Sequence, residues 1–94
     1  MHYVVSCIDR VGLLPVRQAN RAAHLEYVKA NADTILVGGP YLDEAGNMIG
    51  SLLITEAVDL KTLQTVLAED PYARAGLFES VDIKPWKWVI GAPG

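Results

Sequence analysis

His24 falls one helical turn after Arg21 and two after Arg17, in a segment free of glycine and interior proline. An imidazole becomes a general base near neutral pH when a carboxylate accepts from one of its nitrogens, fixing the tautomer and raising the basicity of the other. Asp70 is the natural partner, since it closes a second helical segment just before Pro71-Tyr72. Asp70 also has a structural reading. An Asp followed by Pro at the first helical position, with Gly76 shortly beyond, is the N-cap of a short helical turn. The two roles are compatible, because a capping carboxylate can present its second oxygen to an imidazole. Arg21 falls inside the apolar arc formed by Leu14, Leu25, Val28 and Ala32, with Arg17 and His24 on its flank. A guanidinium buried there keeps its charge and needs a carboxylate, backbone carbonyls or an anionic ligand. Its alternative is to lie at the edge of the arc and snorkel into water.

Other motifs are less specific. Gly38-Gly39-Pro40-Tyr41 is not followed by a helix carrying Lys-Ser or Lys-Thr, so it is no phosphate loop. Ser51, beside Gly50, lacks a nucleophile elbow and reads as a pocket contact at most. Cys7 is the only cysteine and sits within an apolar strand, where it reads as a small buried hydrophobe and not a reactive thiol. No Gly-x-Gly-x-x-Gly or Cys-x-x-Cys occurs, and His2 is a poor partner for His24 in a zinc site. No metal and no cofactor is therefore expected. Eight Lys and Arg against eleven Asp and Glu give a net charge of −3, which argues against a nucleic-acid partner. The apolar runs fall short of the roughly 20 residues that span a bilayer, and Met-His-Tyr-Val-Val-Ser-Cys does not read as a secretory signal. These features set an expectation of a cytoplasmic protein with no membrane partner.

The elements that must position these residues follow from the pattern. His2 to Ile8 reads as a first strand, near-continuous enough to suggest burial on both faces, and Pro15 opens a helix from Leu14 to about Ala32. Thr34 to Val37 gives a second strand closed by Gly38-Gly39-Pro40-Tyr41, and Asp43 to Asn47 turns the chain into a third strand, Met48 to Glu56. Asp59 caps a short helix with Leu60, Leu63, Val66 and Leu67 on one face, ending near Asp70. Alternation from Glu79 to Lys84 makes a fourth strand running toward Pro85-Trp86-Lys87-Trp88. The order is βαββαβ, the ferredoxin-like α+β pattern with both helices on one sheet face, in one domain spanning residues 1–94. The other face needs cover, and a homodimer packed sheet to sheet supplies it. Trp86 and Trp88 suit such an interface, or equally partial burial on their own chain.

The ordered set Arg-Ala-Ala-His-Leu, Gly-Gly-Pro, Gly-Ser, Glu-Asp-Pro-Tyr and Ile-Lys-Pro-Trp, spread over nearly the whole chain, resembles the YCII-related family. The resemblance implies a dimeric ferredoxin-like barrel whose cleft holds a His and Asp pair proposed for acid–base chemistry, here His24 and Asp70. By position it lines that cleft with Arg21, Gly39 and Pro40 of the Gly-Gly-Pro turn, Ser51 and Tyr72. It implies kinship with small isomerases and lyases of aromatic-compound degradation. Two functions follow. One is a cofactor-free isomerase or lyase acting on a small cyclic or aromatic-derived substrate, with His24 as base, Asp70 orienting it and Arg21 stabilising negative charge. The alternative is a non-catalytic dimeric small-molecule-binding or accessory module, in which the His24 and Asp70 pair is a structural hydrogen bond.

Overall fold

A computed structural model describes residues 1–93. The chain runs β1 (His2–Asp9), α1 (Leu14–Ala30), β2 (Ile35–Leu42), β3 (Met48–Glu56), α2 (Leu60–Ala68), α3 (Pro71–Arg74) and β4 (Phe78–Trp86). The strands form one antiparallel sheet in the order β2-β3-β1-β4, the ferredoxin-like arrangement. Strand alternation sends Tyr3, Val5 and Cys7 of β1 and Leu53 and Thr55 of β3 to the helical side, where all are buried. Leu63 and Leu67 of α2, Tyr27 and Val28 of α1, and Ile35 of β2 complete that core. Thr55 keeps its hydroxyl satisfied by donating to the Tyr3 carbonyl.

β2 and the buried face of α1 differ from the expectation. The Gly38-Gly39-Pro40-Tyr41 segment does not close β2; it is the middle of it, running on to Leu42. This is possible because β2 is an edge strand, where the missing N–H of proline breaks no interior ladder. The same reason lets β4, the other edge, run through Pro85 to Trp86. The helical segment after β3 divides as the Asp70-Pro71 pair implies: α2 ends at Ala68, and Asp70 caps the separate turn α3 through its bond from the Tyr72 N–H. On α1 the buried face is not centred on the apolar arc. Arg21 is exposed and Leu25 is 51% exposed, whereas Arg17 is the helix's buried residue.

The turn from β2 to β3 is fastened by Asp43, whose Oδ1 accepts from the N–H groups of Ala45 and Asn47, and Gly46 supplies the positive φ of 88°. At Gly50 the strands approach so closely that a Cβ would lie 2.4 Å from the Cys7 carbonyl oxygen and 3.0 Å from the Tyr41 ring. Tyr41 lies over this glycine and its hydroxyl reaches Ser6 Oγ at 2.9 Å. On that helix-free face Val37, Leu52, Ile8 and Trp86 remain exposed, and β1, expected to be buried on both sides, is only half-buried there at Val4 and Ser6. Trp88 packs against Trp86 and edge-on to His2, with ring centroids at 5.5 and 5.8 Å.

Candidate active site

Continuing the inward alternation of β1 past Cys7 brings Asp9, at the strand's end, to the helical side, where it is buried. Arg17, on the first turns of α1, docks onto it. Its Nε donates to Asp9 Oδ2 at 2.7 Å and its Nη2 to Asp9 Oδ1 at 2.9 Å, a bidentate pair with both side chains almost fully enclosed. Nη2 also donates to Ser51 Oγ at 2.9 Å, so strand β3 is tied into the same cluster. Burial works against the Arg17 charge, but the hydrogen bond and charge of Asp9 outweigh it and leave the guanidinium pKa raised.

Two turns further along α1, His24 Nδ1 lies 2.9 Å from Asp70 Oδ1, with 13% and 5% of the two side chains exposed. The same Oδ1, and not the second oxygen, accepts the capping bond from the Tyr72 N–H at 2.9 Å. An ionised carboxylate is acceptor-only, so this bond calls for the proton on Nδ1, and in the neutral tautomer it selects the lone pair is on Nε2. Between Arg17 and His24 stands the ring of Tyr72. It stacks on the imidazole at 4.0 Å and 13°, and the Arg17 guanidinium carbon sits 4.6 Å from its centroid. Burial raises the Tyr72 phenol pKa, opposed by the charges of Arg17 and Arg21, so the hydroxyl stays protonated.

These groups border a cavity of about 230 Å³ between α1 and strands β2 and β3. His24, Arg17, Arg21 and Tyr72 form its polar side; Val28, Ile35 and Leu53 are among its apolar walls, and Gly39, Pro40 and Ser51 line it as well. Six of the seven residues singled out from the sequence, His24, Arg21, Gly39, Pro40, Ser51 and Tyr72, thus meet at one cavity, and Asp70 stands behind the imidazole. Arg21 reaches it from outside: its Nη1 contacts Met48 Sδ at 3.4 Å, and no buried counter-charge holds it. Sequence reasoning missed Asp9 and the enclosed position of Arg17. The period-two alternation of Tyr3, Val5, Cys7 and Asp9 carried the signal for the former. Cys7 lies behind this cluster, and burial, with Asp70 adding to the effect, pushes its thiol up to about 12. Among the described residues no group of three or more His, Cys, Asp or Glu is arranged to hold a metal ion. No helix among them is long and apolar enough to cross a membrane.

Residues 1–87 match the model of the YCII-related domain. Protein YciI of Escherichia coli is 34% identical over 98 residues, covering 96% of this chain and all of that protein. An uncharacterized protein of Haemophilus influenzae is also 34% identical, over 99 residues, with the same coverage. Among solved structures, the 5-chloro-2-hydroxyhydroquinone dehydrochlorinase of Burkholderia phenoliruptrix AC1100, in complex with 2,5-dihydroxybenzoquinone, is 37% identical. It superposes with a TM-score of 0.87 over 93% of this chain and 94% of its own. A NIPSNAP family protein of Agrobacterium tumefaciens shares the fold alone, at 15% identity and a TM-score of 0.58, over 98% of this chain and 95% of that one.

Proposed function

The chain belongs to the YCII-related family, and from that premise we propose that it is an enzyme that moves protons on a small hydroxylated ring, of the lyase or isomerase type, by a mechanism needing no cofactor. The observation that carries this reading is His24, its Nδ1 held by the buried Asp70 carboxylate and its ring presented at the wall of a ring-sized cavity. A cavity of about 150 Å³ is enough to hold benzene, so the volume here suits one substituted six-membered ring. The similar dehydrochlorinase, whose structure holds a dihydroxybenzoquinone, supports the same substrate class.

His24 Nε2 takes a proton from the bound ring, and Asp70 stabilises the imidazolium that forms while keeping the ring of the base in place. In an elimination the electron pair left by that proton forms the new double bond, and the leaving group departs with its own bonding pair. In an isomerisation the same proton returns at another atom. Tyr72, stacked on His24, fixes the plane of the imidazole, and His24 lines the cavity. The helix-free face of the sheet, with Val37, Leu52 and Trp86 exposed, supports a homodimer packed sheet to sheet. A molar mass in solution of two chains checks that part, and a monomer at micromolar concentration removes it.

The test of the activity is a turnover screen of chlorinated and hydroxylated hydroquinones followed by absorbance. The wild type is expected to convert at least one, and His24→Gln to lose about two to four orders of magnitude in rate with its unfolding transition unchanged. A wild type that binds these rings and converts none of them leaves the binding module as the correct description.

A further inference from the structure

Nε and Nη2 of Arg17 are committed to Asp9 and Ser51. Nη1, the nitrogen turned away from Asp9, makes no hydrogen bond of good geometry to a protein group among the described residues, and the nearby Tyr72 hydroxyl interacts with the guanidinium only weakly. Nη1 is not sealed in either, because no buried side-chain nitrogen or oxygen among them lacks a partner. The open space beside Arg17 is the cavity that it lines. The residue as a whole is 2% exposed, and the bidentate pair together with the Tyr72 ring at 4.6 Å fixes its plane. Ser51 Oγ accepts from Nη2, so its own hydroxyl proton is free to be donated, and Ser51 too lines the cavity. The Arg17 and Asp9 pair is neutral overall, but it is a dipole whose positive edge faces away from the carboxylate. Arg21, by contrast, is exposed, and its one side-chain hydrogen bond among the described residues is to a thioether, so water screens it.

We propose that Arg17 Nη1 and the Ser51 hydroxyl form an anion subsite that holds one ring oxygen of the substrate in its ionised form. The subsite rests on the reading of the cavity as a ring site given above. It makes the pocket selective for acidic hydroxylated rings over their neutral ethers, and it assigns the stabilisation of negative charge to Arg17 in place of the exposed Arg21. In this arrangement the oxyanion and the base border one cavity and are set apart by the Tyr72 ring.

The experiment measures binding and not turnover. 2,5-Dihydroxybenzoquinone, an acidic ring, and its neutral dimethyl ether are titrated calorimetrically into the wild type and four variants at neutral pH. The wild type is expected to prefer the acidic ring by at least about tenfold, the scale of one charge-assisted hydrogen bond. That preference persists in His24→Gln and in Arg21→Ala, shrinks several-fold in Ser51→Ala, and vanishes in Asp9→Asn/Arg17→Gln, a pair of changes that leaves no unpaired buried charge. A wild type without the preference, an Arg21→Ala variant that loses it, or a Ser51→Ala variant that keeps it whole overturns the subsite. These three outcomes decide the matter even where the double variant does not fold. A wild type that shows the preference but converts no ring removes the enzyme reading and leaves the subsite standing; conversion without the preference does the reverse.

Discussion

Replacing Asp9 by Asn removes the only carboxylate hydrogen-bonded to Arg17 among the described residues and leaves a guanidinium whose side chain is 3% exposed. Breaking a buried pair from one side costs about 3–5 kcal/mol, because the surviving charge stays desolvated. Arg17→Gln does the same from the other side, leaving the Asp9 carboxylate stranded. In Asp9→Asn/Arg17→Gln both charges are gone and two amides occupy the site, so the double variant is expected to lose only about 1–2 kcal/mol. The two single losses together would then exceed the double by a coupling of at least about 4 kcal/mol. Set against a domain stability of about 5–15 kcal/mol, either single change lowers the midpoint by well over about 10 °C at the sensitivity expected for this size. Urea unfolding followed by tryptophan fluorescence, at one fixed protein concentration so that any self-association is held constant, reads all four proteins. Single changes that simply add, or an Asp9→Asn loss below about 1 kcal/mol, would refute the reasoning and show that water entering through the cavity solvates the guanidinium.

Three further outcomes follow. Asp70→Asn keeps a competent N-cap, so its stability loss stays near about 1 kcal/mol, but the His24 imidazole is expected to shift away from the Nδ1–H tautomer. Long-range nitrogen-15 spectra read that shift, and an unchanged tautomer would show that Asp70 does not orient the ring. Gly50→Ala drives a methyl to within 2.4 Å of the Cys7 carbonyl, a backbone atom that cannot swing aside, so thermal unfolding should show a loss of at least about 2 kcal/mol; a neutral result would mean that β1 and β3 separate freely there. The Cys7 thiol, raised by burial from 9.0 to about 12, holds its proton more tightly in the native chain than in the unfolded one. Its contribution is complete below pH 9.0 and drains away as pH rises toward 12. Wild type should therefore lose about 2 kcal/mol relative to Cys7→Ala between about pH 8 and about pH 10.5, and parallel curves would contradict it.

Much of the fold was legible because its signals are local. Strand alternation, Pro15 at the helix start, Asp59 as a cap and the Asp43 turn each act within a few residues, and the structure keeps all four. Pro40 was misread because its tolerance depends on β2 being an edge, a property of the sheet and not of the segment. The misplacement of Arg21 has a different cause. A helical wheel ranks faces by apolar content, whereas the inward face of α1 is defined by what waits for it on the sheet, and Asp9 at the end of β1 draws in Arg17. The positions of His24 and Asp70 were readable as two residue types on two helical segments. That one carboxylate oxygen serves both the cap and the imidazole was not, since it depends on the angle at which α3 meets α1.

That shared oxygen bears on how the sequence can drift. Position 70 is held by two separate demands through a single atom, one from the backbone of α3 and one from the side chain of α1. A descendant that no longer used His24 would still be selected to keep an Asp, Asn or Ser there for the sake of the turn. Retention of a capping residue at this position is therefore weak testimony to a working site; the informative substitution is Asp to Asn or Ser, which spares the turn and silences the imidazole's partner.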